Sequence, residues 1–592
     1  MKNISMSSLQ HDEPALNMSL STHTPADANS PALGRKPLLP AISRDQWILG
    51  LVIGAVALYL IISLLLPLLA MLARSVQDSN GAFIGLSYFA EYLGNPALSH
   101  SIGNTLKVGV IVTTIVVSLS FLFAYGLTRT QMPLKPLFKV MGMLPILAPS
   151  LLPAISMIYL FGNQGVAVDL LFGHSIYGLP GIVMGLAFWT FPHALLILTT
   201  ALSTSDARLY EAARSMGTSP FRTFTTVTLP AAKFGLISTV TVVFTLVVTD
   251  FGVPKVIGGQ YNVLATDIYK QVAGQQNFAM GAVISVLLLI PALLAFVIDH
   301  RVQKKQKELF GARSVNFQPE RNPVKDSIFF LLCSLVSLAI LAVVGMAIYG
   351  SLVTFWPWNM ELSWNNYQFE RFSANGWEPY FNSLEMAFYT AIAGTLIIFI
   401  TAYNVEKSKL PPILRHFIHI MAMLPMAVPG MVLGLGYIFF FNQAGNPLGI
   451  LYGTMAILVI NTVAHYFTVG HLTALTALKK LPAEIEQVAA SLKIPQYKAF
   501  LKVSLPVCTP ALLDIAIYLF VNALTTTSAV VFLYSTDTML ASVSVMNMED
   551  AGQTGPAAAM AVLILATAAC VKIAHMTLGK LLLNRTQKWK HS

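Results

Sequence analysis

A short polar segment combines residue types and spacing that suggest a specific task. It begins with Glu211-Ala212-Ala213, reaches Gly217 after three further residues and ends, after nine more, in Val227-Thr228-Leu229-Pro230. Alanine favours helix and leaves a smooth surface for close packing, whereas glycine permits a sharp turn. Ser203-Thr204-Ser205 can cap a first helix, and Ser219-Pro220 suits the start of a second. The segment therefore predicts a helix–turn–helix projection suited to docking another protein rather than to catalysis.

A degenerate copy of this segment lies much further along the chain and ends in Leu505-Pro506. Aligned back from this Leu-Pro end, it has glutamine in place of the glutamate and lysine in place of the glycine, with a glutamate one position earlier. These departures predict that the two copies dock with unequal strength. The candidate docking residues are Glu211, Ala212, Ala213, Gly217, Leu229 and Pro230 in the first copy, and Glu486, Gln487, Ala489, Lys493, Leu505 and Pro506 in the second.

Polar residues at the ends of two apolar runs form a second candidate group. Asp250 ends one run, and Thr526 stands opposite it in the alignment that matches Pro230 with Pro506, flanked by Thr525 and Ser528. A ring of these four side chains could line a pathway and contact a hydrophilic solute. The alternative is that Asp250 is a helix-end carboxylate facing water, and the residue types alone leave both interpretations open.

Patterns for catalysis, metal binding and ATP binding are missing from the sequence. Cys333, Cys508 and Cys570 are widely spaced and are interpreted as small apolar side chains. No cluster of His, Asp and Glu has catalytic or metal-ligand spacing. There is no Gly-rich phosphate loop ending in Gly-Lys-Ser/Thr. We therefore expect no cofactor or metal in this chain, and ATP and magnesium on a separate ATPase.

These segments must be positioned by elements that lie in lipid. The chain has 592 residues, 55% hydrophobic and only 10% charged, with a mean hydropathy of +0.67. A soluble domain carries about 25% charged residues, so this chain cannot cover a water-facing surface over most of its length. The net charge of +10 does not indicate nucleic-acid binding, because the basic residues stand between apolar runs.

Twelve apolar runs are long enough to cross a bilayer, which takes roughly 20 residues of helix. They predict an all-α polytopic membrane protein with about twelve transmembrane helices. The runs lie near 47–70, 107–127, 140–161, 181–201, 235–254, 279–298, 328–349, 386–404, 416–441, 452–472, 511–533 and 557–578.

Basic residues fall in every second connection between these runs, as Arg214, Lys304 and Lys479 illustrate. Because cytoplasmic loops are enriched in Lys and Arg, both termini are predicted to be cytoplasmic. Lys255 and Lys270 are exceptions in a connection that is predicted to be external. The longest external connections, roughly 73–106, 255–278 and 351–384, are too short to fold as a solute-binding domain, which predicts a separate receptor protein.

The sequence contains an internal repeat. Asn104-Thr105-Leu106 resembles Asn382-Ser383-Leu384, and Met143-Leu144-Pro145 matches Met423-Leu424-Pro425, at a nearly constant separation along the chain. This predicts two homologous six-helix halves around an axis along the membrane normal, with a pathway between them. The predicted organisation is a cytoplasmic disordered tail at 1–45, a first half at 46–298, a cytoplasmic linker at 299–326 and a second half at 327–592.

The Glu-Ala-Ala segment, with its glycine and Leu-Pro end, resembles the EAA loop of binding-protein-dependent ABC transporter permeases. Every fixed position fits once Val227 is allowed for the usual isoleucine. The resemblance implies the type I ABC importer permease fold, the bacterial inner membrane and alternating access. It also implies two copies of a cytoplasmic ABC ATPase docked on the loops, a periplasmic or lipid-anchored solute-binding protein, and no enzymatic activity in this chain.

Fused permeases of this family serve ferric iron, thiamine or 2-aminoethylphosphonate. Residues 256–269 look most like the 2-aminoethylphosphonate group, so that solute is the expectation, with ferric iron or thiamine as the alternative. A remoter alternative is an ion-coupled secondary transporter, which also uses twelve spans in two repeats. Such transporters place ionisable residues at mid-membrane, and the apolar runs here contain few of them, with His193 and His465 interpreted as packed side chains.

Overall fold

The computed structural model describes residues 44–78, 81–309, 317–407, 411–492 and 494–586. Residues 1–43 of the predicted tail lie outside the described residues, as do residues 310–316 of the predicted linker and Lys493.

Helices make up most of the first repeat. In chain order they are α1 (Arg44–Leu60), α2 (Leu66–Arg74), α3 (Ser87–Gly94), α4 (Pro96–Arg129), α5 (Lys135–Met143), α6 (Leu151–Phe161), α7 (Leu179–Ser203), α8 (Ala207–Ser215), α9 (Pro220–Thr223), α10 (Leu229–Thr249), α11 (Gly252–Ile257), α12 (Leu264–Tyr269) and α13 (Phe278–Leu309). Short π-helical turns occur at Ile61–Leu65, Phe224–Thr228 and Lys270–Gly274, and 3-10 turns at Leu144–Leu147 and Val168–Leu171.

The second repeat follows the same order, with an antiparallel hairpin after its first helix that pairs Val353 with Leu362. Its elements are α14 (Pro323–Leu352), β1 (Val353–Phe355), β2 (Asn359–Leu362), α15 (Glu378–Lys407), α16 (Pro412–Met423), α17 (Gly430–Phe441), α18 (Met455–His465), α19 (Phe467–Lys479), α20 (Ala483–Ser491), α21 (Gln496–Ala499), α22 (Leu505–Val507), α23 (Thr509–Thr525), α24 (Ala541–Asp550) and α25 (Thr554–Thr586). A π turn occurs at Phe500–Ser504, and 3-10 turns at Asn365–Tyr367, Phe369–Arg371, Leu424–Ala427, Pro447–Leu451 and Thr536–Thr538.

The described residues contain eight helices long and apolar enough to cross a membrane, and twelve spans when each of four bent pairs counts as one. The protein is therefore an all-α membrane protein of eight to twelve spans, which confirms the fold class predicted from the sequence. With each bent pair counted as one span, the predicted division gives six spans in each half. The predicted spans 235–254 and 511–533 extend too far, because α10 ends at Thr249 and α23 at Thr525.

The third span of each half is broken at a proline. The two parts meet at 105° in the first half and at 115° in the second. Ala148 and Val428, directly before Pro149 and Pro429, have extended backbones, the conformation that proline favours in the preceding residue. The uninterrupted spans predicted at 140–161 and 416–441 are therefore wrong. The second half also bends its fourth span by 57° and its fifth by 75°.

Each Leu-Pro pair lies within the helical segments of the fifth span. A π-helical turn, Phe224–Thr228 or Phe500–Ser504, comes directly before it in both halves. Because Pro230 and Pro506 have no N–H to donate within a helix, the extra residue of a π turn is a common way for the helix to continue.

The first span of each half packs on the third span of the other half. The Tyr437 hydroxyl of α17 donates to Ser63 O in the first span at 2.6 Å, and Gly436 lies against the Pro67 carbonyl. In the first half, the Tyr159 ring of α6 lies against Gly350 of α14. The predicted division at 46–298 and 327–592 follows the sequence repeat. In the folded protein, however, the first helix of each half packs against the other half.

The residues that carry the sequence repeat make equivalent hydrogen bonds. Asn104 donates to Asn262 O at 3.0 Å, and Asn382 donates to Met539 O at 3.1 Å. The hydroxyl groups that follow them, on Thr105 and Ser383, accept from the first backbone N–H of α12 and α24 at 2.9 and 2.8 Å. Each pair therefore ties the second span to the chain between the fifth and sixth spans.

Candidate functional site

The first docking loop (residues 206–230) begins with a capped helix. The Asp206 side chain accepts a hydrogen bond from Arg208 N at 3.1 Å, so Asp206 caps α8 rather than the predicted Ser203-Thr204-Ser205. The Ser219 hydroxyl accepts from Arg222 N at 3.3 Å and caps α9, with Pro220 at its first position, as predicted. The helix, turn and helix expected from the sequence are present.

The turn between the two helices depends on Gly217, which has a φ of +66°. Gly217 N donates to Arg214 O at 2.8 Å, and Thr218 N donates to Ala213 O at 3.1 Å. These two bonds define a Schellman motif, whose left-handed residue is usually glycine.

The predicted docking residues of this loop divide by exposure. Glu211 and Ala212 are exposed, as are Leu229 and Pro230, whereas Ala213 is buried. The exposed residues are available to a partner, whereas Ala213 is not.

The second docking loop (residues 482–506) keeps the same turn. Leu492 N donates to Val488 O at 2.9 Å and Ile494 N donates to Ala489 O at 2.8 Å, which match Met216 N to Ala212 O and Thr218 N to Ala213 O in the first loop. Gln487 and Pro506 are exposed, and Ala489 and Leu505 are half-buried. Glu486 lies in α20, whereas Lys493 lies outside the described residues.

Both docking loops expose large apolar side chains at matching positions. Met216 is 80% exposed and Phe221 is 77% exposed, and their counterparts in the second loop, Leu492 and Tyr497, are 66% and 40% exposed. Repetition of the pattern in both loops is consistent with a protein-contact surface.

The four pathway candidates occupy equivalent turns at the ends of α10 and α23. Asp250 and Thr526 are buried and both have extended backbones, while Thr525 and Ser528 are half-buried. Asp250 accepts from Val253 N at 3.0 Å, and Thr525 donates to Val521 O at 2.9 Å. Within the described residues, no hydrogen bond or ion pair brings Asp250 together with the other three, so the proposed ring remains a prediction.

An ionic and aromatic contact joins the two halves beside these turns. Lys255 Nζ lies 2.9 Å from Asp550 Oδ1 and 5.1 Å from the centroid of the Tyr269 ring, and that ring stacks on Phe532 with centroids 6.2 Å apart. Burial, with a smaller effect of Asp550, raises the pKa of Glu549 to about 7. This contact was not predicted from the sequence, although a lysine in a connection poor in basic residues is a signal for it.

The chain resembles membrane transport proteins over most of its length. The sequence model of the family described as binding-protein-dependent transport system inner membrane component matches residues 117–308, a range that includes the first docking loop. The ferric transport system permease protein FbpB of Actinobacillus pleuropneumoniae is 27% identical over 537 residues, which cover 88% of this chain and 77% of the relative. This chain therefore contains a region, residues 117–308, that matches that family.

Other relatives align with most of this chain or with a shorter part of it. The Fe(3+)-transport system permease protein FbpB 2 of Haemophilus influenzae is 24% identical over 81% of this chain and 89% of the relative. The spermidine/putrescine transport system permease protein PotB of the same organism is 28% identical over 40% of this chain and 88% of its own length. The chain is thus similar over most of its length to two ferric transport permeases. It is similar over 40% of its length to a polyamine transport permease.

Proposed function

We propose that this permease carries ferric iron into the cytoplasm as the membrane subunit of an ATP-driven importer. Two relatives whose names specify ferric transport align with 81% or more of the chain. The polyamine relative aligns with only 40%. Similarity over both halves favours ferric iron over the 2-aminoethylphosphonate expected from residues 256–269, which remains the second candidate.

The proposed mechanism couples the two docking loops to a pathway between the halves. Two copies of an ABC ATPase, which hold ATP and magnesium, grip the loops around Glu211 and Gln487, both of which are exposed. The observation that supports this most directly is that the docking loops of the two halves share one hydrogen-bonded turn. Closure of the ATPases would then move α8 and α20 in concert, and with them the fifth spans.

Solute recognition is assigned to a separate binding protein on the outer face. In this proposal both termini lie in the cytoplasm, so the docking loops face the ATPases. The contact between Lys255 and Asp550 then lies on the side of the binding protein. Delivery of the solute would be followed by its passage between the halves, near the turns at Asp250 and Thr526.

Uptake measurements test the proposal. A strain lacking the permease is supplied with the wild type or with Glu211→Ala, and uptake of radioactive ferric iron and of labelled 2-aminoethylphosphonate is measured in parallel. Glu361→Ala is the matched control, because Glu361 is also exposed but lies in the hairpin after the first helix of the second half. We expect the strain to lose ferric uptake alone, and Glu211→Ala to restore it poorly. Loss of 2-aminoethylphosphonate uptake alone would instead assign the permease to that solute.

A further inference from the structure

The Arg129 side chain, at the inner end of the second span, joins elements that are distant in sequence. It is only 3% exposed, and its Nη2 donates to Leu202 O at the end of α7 at 2.8 Å. Its guanidinium carbon lies 4.7 Å from the centroid of the Tyr210 ring in α8 and 4.5 Å from that of Phe317. The guanidinium is therefore bound by two aromatic faces, an arrangement that gains strength when it is removed from water.

Phe317 belongs to the linker between the two halves, and the contact brings that linker onto the first docking loop. The Phe317 and Tyr210 ring centroids are 4.5 Å apart, and Glu320 forms an ion pair with Arg214 of α8. We name residues 317–322 the strap. At its far end, the strap leads directly into α14, the first span of the second half.

The strap is also fixed to the end of the second span. Gln131 Nε2 donates to Pro319 O at 2.7 Å, and Gln131 N donates to Asp326 Oδ1 at 2.9 Å. Lys325 Nζ donates to Arg129 O at 2.8 Å. Side chains from both halves therefore hold α4 and α8 of the first half to α14 and the strap that precedes it.

The second docking loop has different residues at the matching positions. Lys407 stands in place of Arg129 and donates to Leu481 O at 3.4 Å, and Glu486 stands in place of Tyr210. A lysine and a glutamate cannot reproduce a guanidinium held by aromatic rings. Among the described residues, an arginine held between two aromatic rings is found beside the first docking loop.

We propose that the strap is a positioning element which transmits movement of the first docking loop to both halves of the permease. The proposal rests on the proposed function, in which an ATPase moves α8. Because α8, α4 and α14 meet at Arg129 and Phe317, displacement of α8 must carry α14 with it. Without the strap, the ATPase would move the first half while α14 stayed in place. Less solute would then be imported for each ATP hydrolysed.

The test measures solute imported per ATP hydrolysed by the complete complex in proteoliposomes, with ferric iron delivered by its binding protein. The variants are Phe317→Ala, Phe317→Leu, Phe317→Tyr and the neighbouring exposed Gln318→Ala as control. A partly desolvated cation–aromatic contact corresponds to about a fivefold or larger change in an equilibrium. We expect the ratio to fall by about that factor in the alanine variant, to fall less in the leucine variant, and to be restored by tyrosine.

Cross-linking checks the contact without any solute. In a Cys570→Ser background, Arg214→Cys and Glu320→Cys are joined with a short bismaleimide, and the Phe317→Ala change should lower the yield. Equal import per ATP in Phe317→Ala and wild type, at equal assembly, would overturn the proposal. If Glu211→Ala also leaves import unchanged, the proposed role of the docking loop fails as well, whereas loss of import in Glu211→Ala alone limits the failure to the strap.

Discussion

Gly252 lies so close to Ser150 that a Cβ on the glycine would collide with the serine hydroxyl. This contact joins the turn after the fifth span to the break in the third span. The second half contains the same contact with the residue types exchanged, because Gly430 at the break faces Ser528 at the turn. Each half thus has room for one serine side chain at this crossing.

The exchange predicts the result of swapping the residues. We expect Gly252→Ser alone to destabilise the permease by about 1–3 kcal/mol, the usual cost of overpacking a core. The double variant Ser150→Gly/Gly252→Ser reproduces the arrangement of the second half and should regain most of the loss. Thermal unfolding of the purified protein and uptake in cells measure both effects. A double variant no more stable than the single one would contradict the packing argument.

Gly217 provides a second prediction, because its φ of +66° disfavours any residue with a Cβ. No atom lies within 4 Å of a Cβ built at Gly217, so Gly217→Ala adds backbone strain of about 1 kcal/mol without a collision. We expect the variant to bind the ATPase more weakly while remaining folded. Gly173→Ala is the control, since Gly173 has a φ of +83° and equally open surroundings but lies outside the docking loops. Equal ATPase binding by both variants would show that the turn is not needed for docking.

The aromatic packing beneath the docking loops gives a third prediction. In the first half, the Phe329 ring of α14 lies 5.2 Å from the Tyr125 ring and fills the space beside Gly126. In the second half, the matching region beside Tyr403 contains a cavity of about 120 Å³ whose lining includes Ile48 and Val52 of α1. The Phe329 ring therefore fills this space in the first half, whereas a cavity remains at the matching position in the second half.

Removal of that ring should be costly in the first half. We expect Phe329→Ala to lower stability by about 2–3 kcal/mol, less than the roughly 3–5 kcal/mol usual for such a truncation, because the surrounding lipid is itself apolar. Leu331→Ala is the matched control, since Leu331 is 71% exposed on the same helix and should change stability little. Val52→Phe should be tolerated, because the cavity can receive part of the larger side chain. Unfolding of the purified variants in detergent measures all three changes.

The sequence predicted what depends on local composition, and missed what depends on contacts between distant segments. The membrane-spanning helical fold follows from hydropathy, and the turn at Gly217 follows from a glycine at fixed spacing. The break before Pro149 was missed because a proline within an apolar run bends, kinks or ends a helix according to its neighbours. Two features leave no periodic pattern in the sequence. One is the contact of Arg129 with Phe317, which lies beyond the sixth span. The other is the packing of the first span of each half on the third span of the other half. Candidate docking residues could be proposed from local spacing, whereas the strap, which contacts Tyr210 and Arg214 of the first docking loop, could not be predicted.

The last prediction concerns pH and the contact between the halves at Glu549. Its pKa is raised to about 7 from the usual 4.5, chiefly by burial and further by the charge of Asp550. An acid with a raised pKa in the folded state is destabilising once ionised, so stability should fall as pH rises from about 4.5 to about 7 and then level off. The loss is at most about 3 kcal/mol. Glu549→Gln cannot ionise, so its unfolding temperature should fall less than that of the wild type between pH 5 and pH 8.

The neighbouring ion pair provides the control for this titration. Asp550 pairs with Lys255 at 2.9 Å and is 48% exposed, and such pairs contribute about 0.2–1 kcal/mol. Asp550→Asn should therefore lower stability only slightly, and should lower the pKa of Glu549 by removing a neighbouring negative charge. In that variant the pH-dependent fall should begin at the same pH, because the unfolded state sets its start, but it should be smaller and end at a lower pH. Identical pH profiles for the wild type, Glu549→Gln and Asp550→Asn would show that Glu549 is ionised at ordinary pH in the folded permease, and that its burial does not control the contact between the halves.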